Sequence, residues 1–374
     1  MLKKPETPKQ KNFRFTFEEL AGAVGNFGTV LPILLGVAIV SDVNAGYIFL
    51  FLSLAYIISG LYFKLPMPVE PMKAVGAIVI AENLSHEQIA ASGIILGVLF
   101  LILGYLKGLN FLQKNIPQSV IRGIQLGLTL VLIKVSLGFI IWDLIIALIC
   151  IGVIVLFFLL NKYRKVPNIG SLVVIAFGVV YGIVRNGLPE AELIDAPLLI
   201  LPSLQDFYTS AWRVALPQAP LTLTNAILAI SLLYFDIFQK NVTPDKLAKS
   251  TGIMNLLSTP FGGFPMCHGA GGLAAHYRFG ARTGGSNIIC GLILLPLALW
   301  FSGPDFILLI PSGVFGALLI FVALELGKHA FKTSSFPLTI IIAVLAFLTN
   351  FAIAFIAGLA LHFLIKYLSK TKSS

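Results

Sequence analysis

The sequence predicts an all-α polytopic membrane protein. Of its 374 residues, 57% are hydrophobic and only 11% are charged, whereas soluble domains contain about 25% charged residues. The mean hydropathy is +0.95, and apolar runs of the length needed to cross a bilayer follow one another along the chain. This composition excludes a soluble globular enzyme and a disordered chain. It also excludes a nucleic-acid-binding protein, even though the net charge is +10.

The apolar runs, which are separated by Gly, Pro and charged residues, predict about fourteen transmembrane segments. In chain order the predicted spans are 17–40, 44–63, 69–82, 88–108, 117–141, 143–161, 168–185, 216–238, 246–262, 266–279, 283–302, 305–324, 333–349 and 351–368. Thr16 and Glu19 form a T-x-x-E pattern, which predicts a capping box at the start of the first span.

The charge pattern predicts how these spans are oriented. Most Lys and Arg residues fall in loops on one side, while nine of the sixteen acidic residues and the three tryptophans, Trp142, Trp212 and Trp300, fall on the other. Basic loops are typically cytoplasmic, so both termini are expected inside a multi-pass protein of the cell (cytoplasmic) membrane. The basic residues 1–14 precede no cleavage pattern, so the first span is expected to be retained.

Two of the predicted spans, the third and the tenth, are too short to cross the bilayer. Each begins in a segment with prolines, which disrupt helices: Pro66, Pro68 and Pro71 in the first case and Pro265 in the second. The two interruptions, at Pro68 and Pro265, are about 200 residues apart, so each half of the chain contains one. Such a recurrence is expected of an internal duplication. The sequence therefore predicts a 7+7 repeat with two half-helices, spans 3 and 10, that meet at the midplane. The second repeat is inverted because seven is an odd number of crossings.

This repeat divides the chain into five predicted parts. They are a cytoplasmic basic N-terminus at 1–14, a first seven-span repeat at 15–185, an external linker at 186–214, a second inverted seven-span repeat at 215–368 and a cytoplasmic tail at 369–374.

Two half-helices that point at one spot predict an anion site. A helix start has about four unpaired N–H groups and roughly half a positive charge. Gly269 allows the backbone to approach a ligand, although glycine also permits tight helix packing. His268 could donate to an oxyanion or could bond a backbone group that Pro265 leaves free.

Four sequence motifs resemble those of the molybdate transporter family, which is related to the sulfate permeases. The string FPMCHGAGGLAAHYRFGAR at 264–282 resembles its signature, and the strings at 19–29, 66–73 and 216–225 resemble the other three motifs in the same order. The resemblance implies a core domain of spans 1 to 4 and 8 to 11, a gate domain, and no cytoplasmic regulatory domain.

The resemblance also implies the function, which is secondary active transport of a tetrahedral oxyanion by alternating access. Molybdate is the first expectation. Transport of sulfate, tungstate, a nucleobase or another organic anion on the same fold remains an alternative, as does an anion channel. The expected substrate-binding residues are Asn26, Thr29, Glu70, Met72, Lys73, Gln218, Thr222, Asn225, Cys267, His268, Gly269 and Ala270.

Three residues depart from the family pattern. Asn26 stands where Asp is usual, and Glu70 and His276 stand where Gln is usual. A carboxylate at Glu70 would repel an anion, so one interpretation is that Glu70 is protonated when the anion binds and couples proton movement to transport. The other is that Glu70 pairs with Lys73, three residues further along the same helix face.

The sequence predicts no enzymatic activity. It contains no nucleophile elbow, no zinc-binding helix motif and no phosphate-binding loop for ATP. The three cysteines have no pairing pattern. No cofactor and no metal are therefore expected. The expected partners are molybdate or a related oxyanion, the lipid bilayer, a proton as candidate co-substrate and, by analogy with related carriers, a second copy of the chain, but no nucleic acid.

Overall fold

The computed structural model describes residues 13–41, 43–106, 109, 117–164, 169–190, 193–300 and 309–371. Within these residues the chain forms fifteen helices and two short strands. The helices are α1 (Phe17–Val24), α2 (Phe27–Val40), α3 (Ala45–Phe63), α4 (Lys73–Glu82), α5 (His86–Leu106), α6 (Gln118–Trp142), α7 (Leu144–Arg164), α8 (Gly170–Asn186), α9 (Leu204–Phe238), α10 (Pro244–Ser258), α11 (Ala270–Arg278), α12 (Gly285–Trp300), α13 (Ser312–Ala330), α14 (Phe336–Leu348) and α15 (Phe351–Thr371). The strands are β1 (Glu70–Pro71) and β2 (Met266–Cys267).

Each predicted span overlaps a helix of the structure, and the first, 17–40, overlaps two. The spans predicted at 88–108, 283–302 and 305–324 extend outside the described residues. Among those residues, six helices are long and apolar enough to cross a membrane, and the pair α1 and α2, bent by 40°, would be a seventh. Three further apolar helices, α8, α12 and α14, are shorter. The protein is therefore a multi-pass membrane protein. The count of fourteen crossings and the 7+7 repeat remain predictions.

Helix α9 differs most from its predicted bounds. It begins at Leu204 rather than at 216, so its first part lies in the predicted linker 186–214. Two stretches of α9, Ala211–Ala215 and Thr222–Leu228, have π-helical geometry. Pro217 and Pro220 lie between them. Proline has no N–H to donate to the helical ladder, which accounts for the irregular hydrogen bonding nearby.

The capping-box prediction at the start of the first span is wrong. Thr16 precedes α1, but its side chain makes no capping hydrogen bond to the helix. Glu19 is instead fully buried and accepts hydrogen bonds from the Arg282 N–H at 3.2 Å and the Thr283 hydroxyl at 3.0 Å. The carboxylate therefore supplies acceptors to the turn between α11 and α12, which a pattern of local residues could not indicate.

The two halves of the chain pack into one another rather than side by side. Helix α3 packs along α12, and α5 packs along α10. Helix α6 packs against α13 and α14. Each of these pairs joins an element from the first half of the sequence to one from the second. The short helix α4 lies among them and contacts both α2 and α6.

The two short strands pair with each other in the interior. β1 and β2 are antiparallel, with Glu70 opposite Cys267 and Pro71 opposite Met266. The Met72 N–H extends the ladder by donating to the Pro265 carbonyl at 2.8 Å. Each strand is followed within three residues by a short helix, α4 or α11. At 1.5 Å per residue these helices are only about 15 Å and 13 Å long, so neither crosses a bilayer of about 30 Å alone.

Two buried asparagines satisfy the backbone of these extended segments. Asn255 on α10 accepts from the Met266 N–H at 2.8 Å and donates to the Met266 carbonyl at 2.7 Å. Asn287 on α12 does the same for Met67, accepting from its N–H at 2.8 Å and donating to its carbonyl. The Tyr234 hydroxyl donates to the Pro66 carbonyl. Irregular backbone is stable at membrane depth only with such internal partners.

We expect Gly252→Ala to lower the stability of the protein. A Cβ at residue 252 would lie 2.8 Å from both the Gly97 carbonyl oxygen and the Leu101 nitrogen, so α5 and α10 would have to separate. Overpacking of this kind costs about 1–3 kcal/mol. The measurement is the thermal unfolding of the purified protein in detergent.

Gly152→Ala on α7 is the matched control, because a Cβ there would meet no atom within 4 Å. Alanine in a helix interior is about 0.5–1 kcal/mol more favourable than glycine, so this variant should unfold at the same or a higher temperature. Equal destabilisation of both variants would contradict the close packing of α5 on α10.

Asn255→Leu should also destabilise the protein. It leaves the N–H and the carbonyl of Met266 without the Asn255 side chain as partner, at a cost of roughly 2–6 kcal/mol for the two groups. Asn350→Leu is the comparison variant. It removes one exposed hydrogen bond, to the Ile353 N–H, worth about 1 kcal/mol. An Asn255→Leu protein that unfolds no earlier than Asn350→Leu would refute the proposed support of β2.

Candidate functional site

A small cavity lies where α4 and α11 begin. Its volume is about 30 Å³, which is room for roughly two water molecules. Elements α4, α6, α9 and α13 and the segment that leads into α11 form its wall. The lining residues are Glu70, Lys73, Ala74, Gln125, Leu128, Gln218, Leu221, Thr222, Asn225, Ala226, Cys267, His268, Gly269 and Leu326.

The structure brings most of the predicted site residues to this wall. They are Glu70, Lys73, Gln218, Thr222, Asn225, Cys267, His268 and Gly269. Asn26 is buried behind Glu70. Thr29, Met72 and Ala270 are not among the lining residues. Met72 is fully buried and Ala270 is the first residue of α11.

Glu70 and Lys73 form an ion pair at the edge of the cavity. Lys73 Nζ lies 2.6 Å from Glu70 Oε2, and Asn26 Nδ2 donates to Glu70 Oε1 at 2.9 Å. The Glu70 residue is only 1% exposed, whereas the Lys73 side chain is 25% exposed. Of the two interpretations of Glu70, the pairing with Lys73 is the arrangement seen here. Two of the departures from the family pattern, Asn26 and Glu70, are thus hydrogen-bonded to each other.

Two glycines of the segment that opens α11 make room for the Glu70 carboxylate. An added Cβ at Gly269 would overlap the carboxylate, and one at Gly272 would overlap Glu70 Oε1 and lie 2.7 Å from Asn26 Nδ2. At Gly271, between them, an added Cβ would meet nothing within 4 Å. The close approach of backbone expected at Gly269 is therefore made to the Glu70 side chain, and Gly272 provides a second such position.

The N-terminus of α4 already has a partner. Gln218 Oε1 on α9 accepts from the Ala74 N–H at 2.9 Å and from the Val75 N–H at 3.2 Å. Gln218 Nε2 donates to the Thr222 hydroxyl at 2.8 Å. An amide side chain thus occupies two N–H groups that were expected to be free for an anion.

The start of α11 differs in this respect. Within the described residues, the N–H groups of Ala270, Gly271 and Gly272 make no hydrogen bond outside their own helix. The first bond that closes the helix runs from the Leu273 N–H to the Gly269 carbonyl at 3.0 Å. The positive end of this helix dipole is therefore uncapped beside the cavity.

His268 has no ring nitrogen left for a ligand. Nδ1 lies 2.9 Å from the Pro68 carbonyl oxygen and Nε2 lies 3.0 Å from the Ser250 hydroxyl. Since a carbonyl only accepts, Nδ1 carries the proton and donates to Pro68. Of the two roles considered for His268, hydrogen bonding to backbone is the one seen here. The carbonyl belongs to Pro68 in the segment before β1, so His268 joins the two extended segments.

Two side chains on α9 remain available as donors. Asn225 lines the cavity and is exposed, and its side chain makes no hydrogen bond within the described residues. The Thr222 hydroxyl accepts from Gln218, and its own proton is within reach of only the Cys267 sulfur, a weak acceptor. Both residues lie in the π-helical stretch Thr222–Leu228, where the altered helical turn changes which side chains share a face.

Sequence reasoning missed the side of the cavity formed by α6 and α13. Gln125 on α6 is buried, accepts from Arg122 at 2.9 Å and donates to the Leu326 carbonyl on α13 at 3.0 Å. Leu128 and Leu326 complete this side. Gln125 is one of several polar residues in the span predicted at 117–141, so its presence alone did not single it out.

His276, the third departure from the family pattern, lies outside the cavity wall. It is fully buried and its ring stacks on Tyr56, with centroids 6.2 Å apart. Neither ring nitrogen has a hydrogen-bond partner among the described residues, and the Tyr56 hydroxyl also has none. Those residues contain no group of three or more His, Cys, Asp or Glu side chains that could hold a metal ion.

Comparison with known proteins identifies relatives along nearly the whole chain. The family model described as molybdate transporter of the MFS superfamily matches residues 18–132 and 210–326. Molybdate transporter 2 of Arabidopsis thaliana is 32% identical over 93% of this chain and 87% of its own length. Molybdate transporter 1 of Chlamydomonas reinhardtii is 26% identical over 92% of this chain and 91% of its own length.

The fold is similar to that of solved anion transporters. The transmembrane domain of the cyanobacterial bicarbonate transporter BicA matches with a TM-score of 0.66 and 18% identity, over 91% of this chain and 97% of that one. The murine anion transporter Slc26a9 in its inward-facing state matches with a TM-score of 0.70 and 17% identity, over 96% and 69%. Together with the sequence matches, these results show that the chain belongs to the molybdate transporter family, a family of membrane transporters and not of enzymes, and has the fold of sulfate permease-like anion transporters.

Proposed function

We propose that this protein is a secondary active transporter of a tetrahedral oxyanion, and that the anion is molybdate. The location of the site rests on one observation. The cavity at the start of α4 and α11 has the Lys73 ammonium group in its wall. The named molybdate transporters that are 32% identical to this chain support the choice of substrate.

The binding site in this proposal is the cavity itself. A dianion there would meet the Lys73 ammonium, the Asn225 amide, the Thr222 hydroxyl and the uncapped start of α11. Charge-assisted hydrogen bonds are roughly twice as strong as neutral ones, and a helix N-terminus attracts negative charge. Gln218, Cys267, His268 and Gly269 shape the wall and do not donate to the anion.

The size of the cavity supports a mechanism with movement. A volume of about 30 Å³ holds roughly two waters, and an anion with four oxygens needs more space. In this proposal the wall opens to admit it. We propose that α6 and α13, which belong to the gate domain, move relative to α4, α9 and α11 in the core domain, so that the site is exposed alternately to each side.

The remaining features of the architecture belong to the same proposal. The two segments matched by the family model, residues 18–132 and 210–326, are both about 115 residues long and support a duplicated, inverted repeat. We propose the division of the chain into two seven-span repeats with an external linker between them, and with spans 3 and 10 as half-helices that meet at the midplane. We also propose cytoplasmic termini in the cell membrane and, by analogy with related carriers, a homodimer.

We further propose that the Glu70–Lys73 pair couples a proton to the anion. With Glu70 ionised, the pair has no net charge and Lys73 is engaged. Protonation of Glu70 would remove the negative charge beside the site and leave the Lys73 ammonium, 2.6 Å away, free to bind the anion. Binding should then strengthen as the pH falls, because the protonated form has the higher affinity.

The glycines beside Glu70 test the location of the site. Gly272→Ala should reduce molybdate uptake at least about tenfold, because the new Cβ displaces the Glu70 carboxylate and the lysine bound to it, and loss of a charged hydrogen bond costs about 1.5–3 kcal/mol. Gly271→Ala should retain uptake, because its Cβ occupies open space. Uptake of labelled molybdate is measured at matched expression in the membrane. Gly269→Leu should abolish uptake for the same reason as Gly272→Ala.

Normal uptake by both Gly269→Leu and Gly272→Ala would exclude the start of α11 from the site.

Competition by sulfate, tungstate and uracil in the same assay identifies the substrate. Inhibition by uracil without inhibition by tungstate would exclude an oxyanion in favour of a nucleobase.

Glu70→Gln tests the coupling. Molybdate binding to the purified wild-type protein should strengthen between about pH 7.5 and about pH 5.5, by at most about tenfold per pH unit for one linked proton. The Glu70→Gln protein should bind with an affinity that does not depend on pH, because its neutral side chain mimics the protonated acid. Calorimetry at several pH values gives both affinities. A wild-type affinity indifferent to pH would leave Glu70 with the structural role of neutralising Lys73.

A further inference from the structure

We infer a binding site for an anionic phospholipid in a cleft between α3, α5 and α10. The cleft has a volume of about 510 Å³ and is separate from the cavity at the start of α4 and α11. Most of its lining is apolar, and two lysines lie at one end. The lining residues are Phe51, Leu54, Ala55, Ile58, Ser59, Tyr62, Tyr105, Lys246, Lys249, Ser250, Ile253, Met254, Leu257, Ser258 and Met266.

One face of α3 and one face of α10 form the long walls of the cleft. The lining positions of α3, from Phe51 to Tyr62, recur at intervals of three and four residues, and so do those of α10, from Lys246 to Ser258. The Phe51 ring stacks on Phe261, just after α10, with centroids 6.4 Å apart. The two walls are therefore antiparallel, with Tyr62 towards the lysine end and Phe51 towards the far end.

The length of the cleft fits one acyl chain. At 1.5 Å per residue, the lining stretch of α3 is about 17 Å long and that of α10 about 18 Å. One leaflet of the hydrocarbon core is about 15 Å thick. Large apolar side chains such as Ile58 and Leu257, which are 59% and 62% exposed, flank the cleft. Its wall therefore offers an apolar surface matched to the depth of a single leaflet.

The lysine end has an unbalanced positive charge. Within the described residues, no carboxylate lies within 4.0 Å of the ammonium of Lys246 or Lys249. Lys249 Nζ lies 4.1 Å from the centroid of the Tyr105 ring, a cation–π contact that positions the ammonium without neutralising it. Tyr62 and Tyr105 provide the aromatic side chains typical of the level of lipid headgroups.

These features together specify the ligand. An apolar channel one leaflet deep accepts an acyl chain, and two unpaired ammonium groups at its mouth bind a phosphate. A zwitterionic lipid would fill the channel but gain less from the lysines. We therefore assign the site to a lipid whose headgroup is anionic, such as phosphatidylglycerol.

The cleft shares a wall with the candidate transport site. Ser250 lines the cleft and bonds to His268, which lines the cavity, and Met266 in β2 also faces the cleft. A lipid there would contact Met266 of the same strand and Ser250, the partner of the histidine. The lipid site rests on its own residues, so it stands or falls independently of the substrate.

The test is a lipid titration of the purified full chain in neutral detergent. Phosphatidylglycerol and phosphatidylcholine with the same acyl chains are added in turn, and bound lipid is counted by native mass spectrometry. The wild type should bind phosphatidylglycerol at least about tenfold more tightly than phosphatidylcholine, because each lysine near an anionic headgroup contributes roughly fivefold. The double variant Lys246→Gln/Lys249→Gln should lose this preference.

Matched variants separate the site from general effects of charge and folding. Lys240→Gln/Lys332→Gln removes the same charge from exposed positions outside the cleft and should keep the preference. Ile253→Trp fills the cleft at a residue that is already 47% exposed and should weaken the binding of both lipids. Glycerophosphate, which has the headgroup charge but no acyl chain, should not compete.

Several results would overturn the assignment. A wild type without preference for the anionic lipid would remove the role of the lysines. So would a Lys246→Gln/Lys249→Gln protein that keeps the preference, or a Lys240→Gln/Lys332→Gln protein that loses it. Unchanged binding by Ile253→Trp would place the lipid elsewhere. Effective competition by glycerophosphate would reduce the site to a surface that binds phosphate only.

Discussion

The structure depends on how two interrupted segments satisfy their backbone away from water. An unpaired buried peptide group costs a few kcal/mol, and a membrane interior offers no water to pair with it. β1 and β2 therefore pair with each other, and the side chains of Asn255 and Asn287 hydrogen-bond the backbone of Met266 and Met67. The helical backbone can therefore be interrupted at two points in the interior, and the pairing of β1 with β2 holds these two points next to each other.

That pairing fixes where the next helix after each strand begins. Helices α4 and α11 begin within three residues of the ladder, so their positive ends lie near one cavity. The two ends are not equivalent, because Gln218 caps α4 while α11 stays uncapped. Glu70 lies between them, in a space that only glycine at 269 and 272 leaves open. The net charge at this edge of the cavity therefore depends on one ion pair, which is neutral while Glu70 is ionised.

Much of this site could be predicted from local sequence, and the rest could not. Pro66 and Pro265 mark the interruptions because proline cannot continue a helix, and the polar residues on α9 mark its approach to the cavity. The partners of these groups are remote. Gln218 caps a helix 144 residues away, and Asn287 bonds a backbone 220 residues away. The capping role predicted for Glu19 is wrong for the same reason, since its oxygens serve a turn 263 residues further along. The periodicity of apolar residues and local capping patterns do not show which residues far apart in the sequence become partners.

We propose that the start of α11 and the Lys73 side chain bind the oxyanion together. The most direct measurement is a crystal structure of the protein with tungstate, whose tungsten atom can be located by anomalous scattering. We expect a single strong peak in the cavity, within hydrogen-bonding reach of Lys73 and of the residues that open α11. A tungsten peak elsewhere, or no peak in the cavity at saturating tungstate, would contradict it.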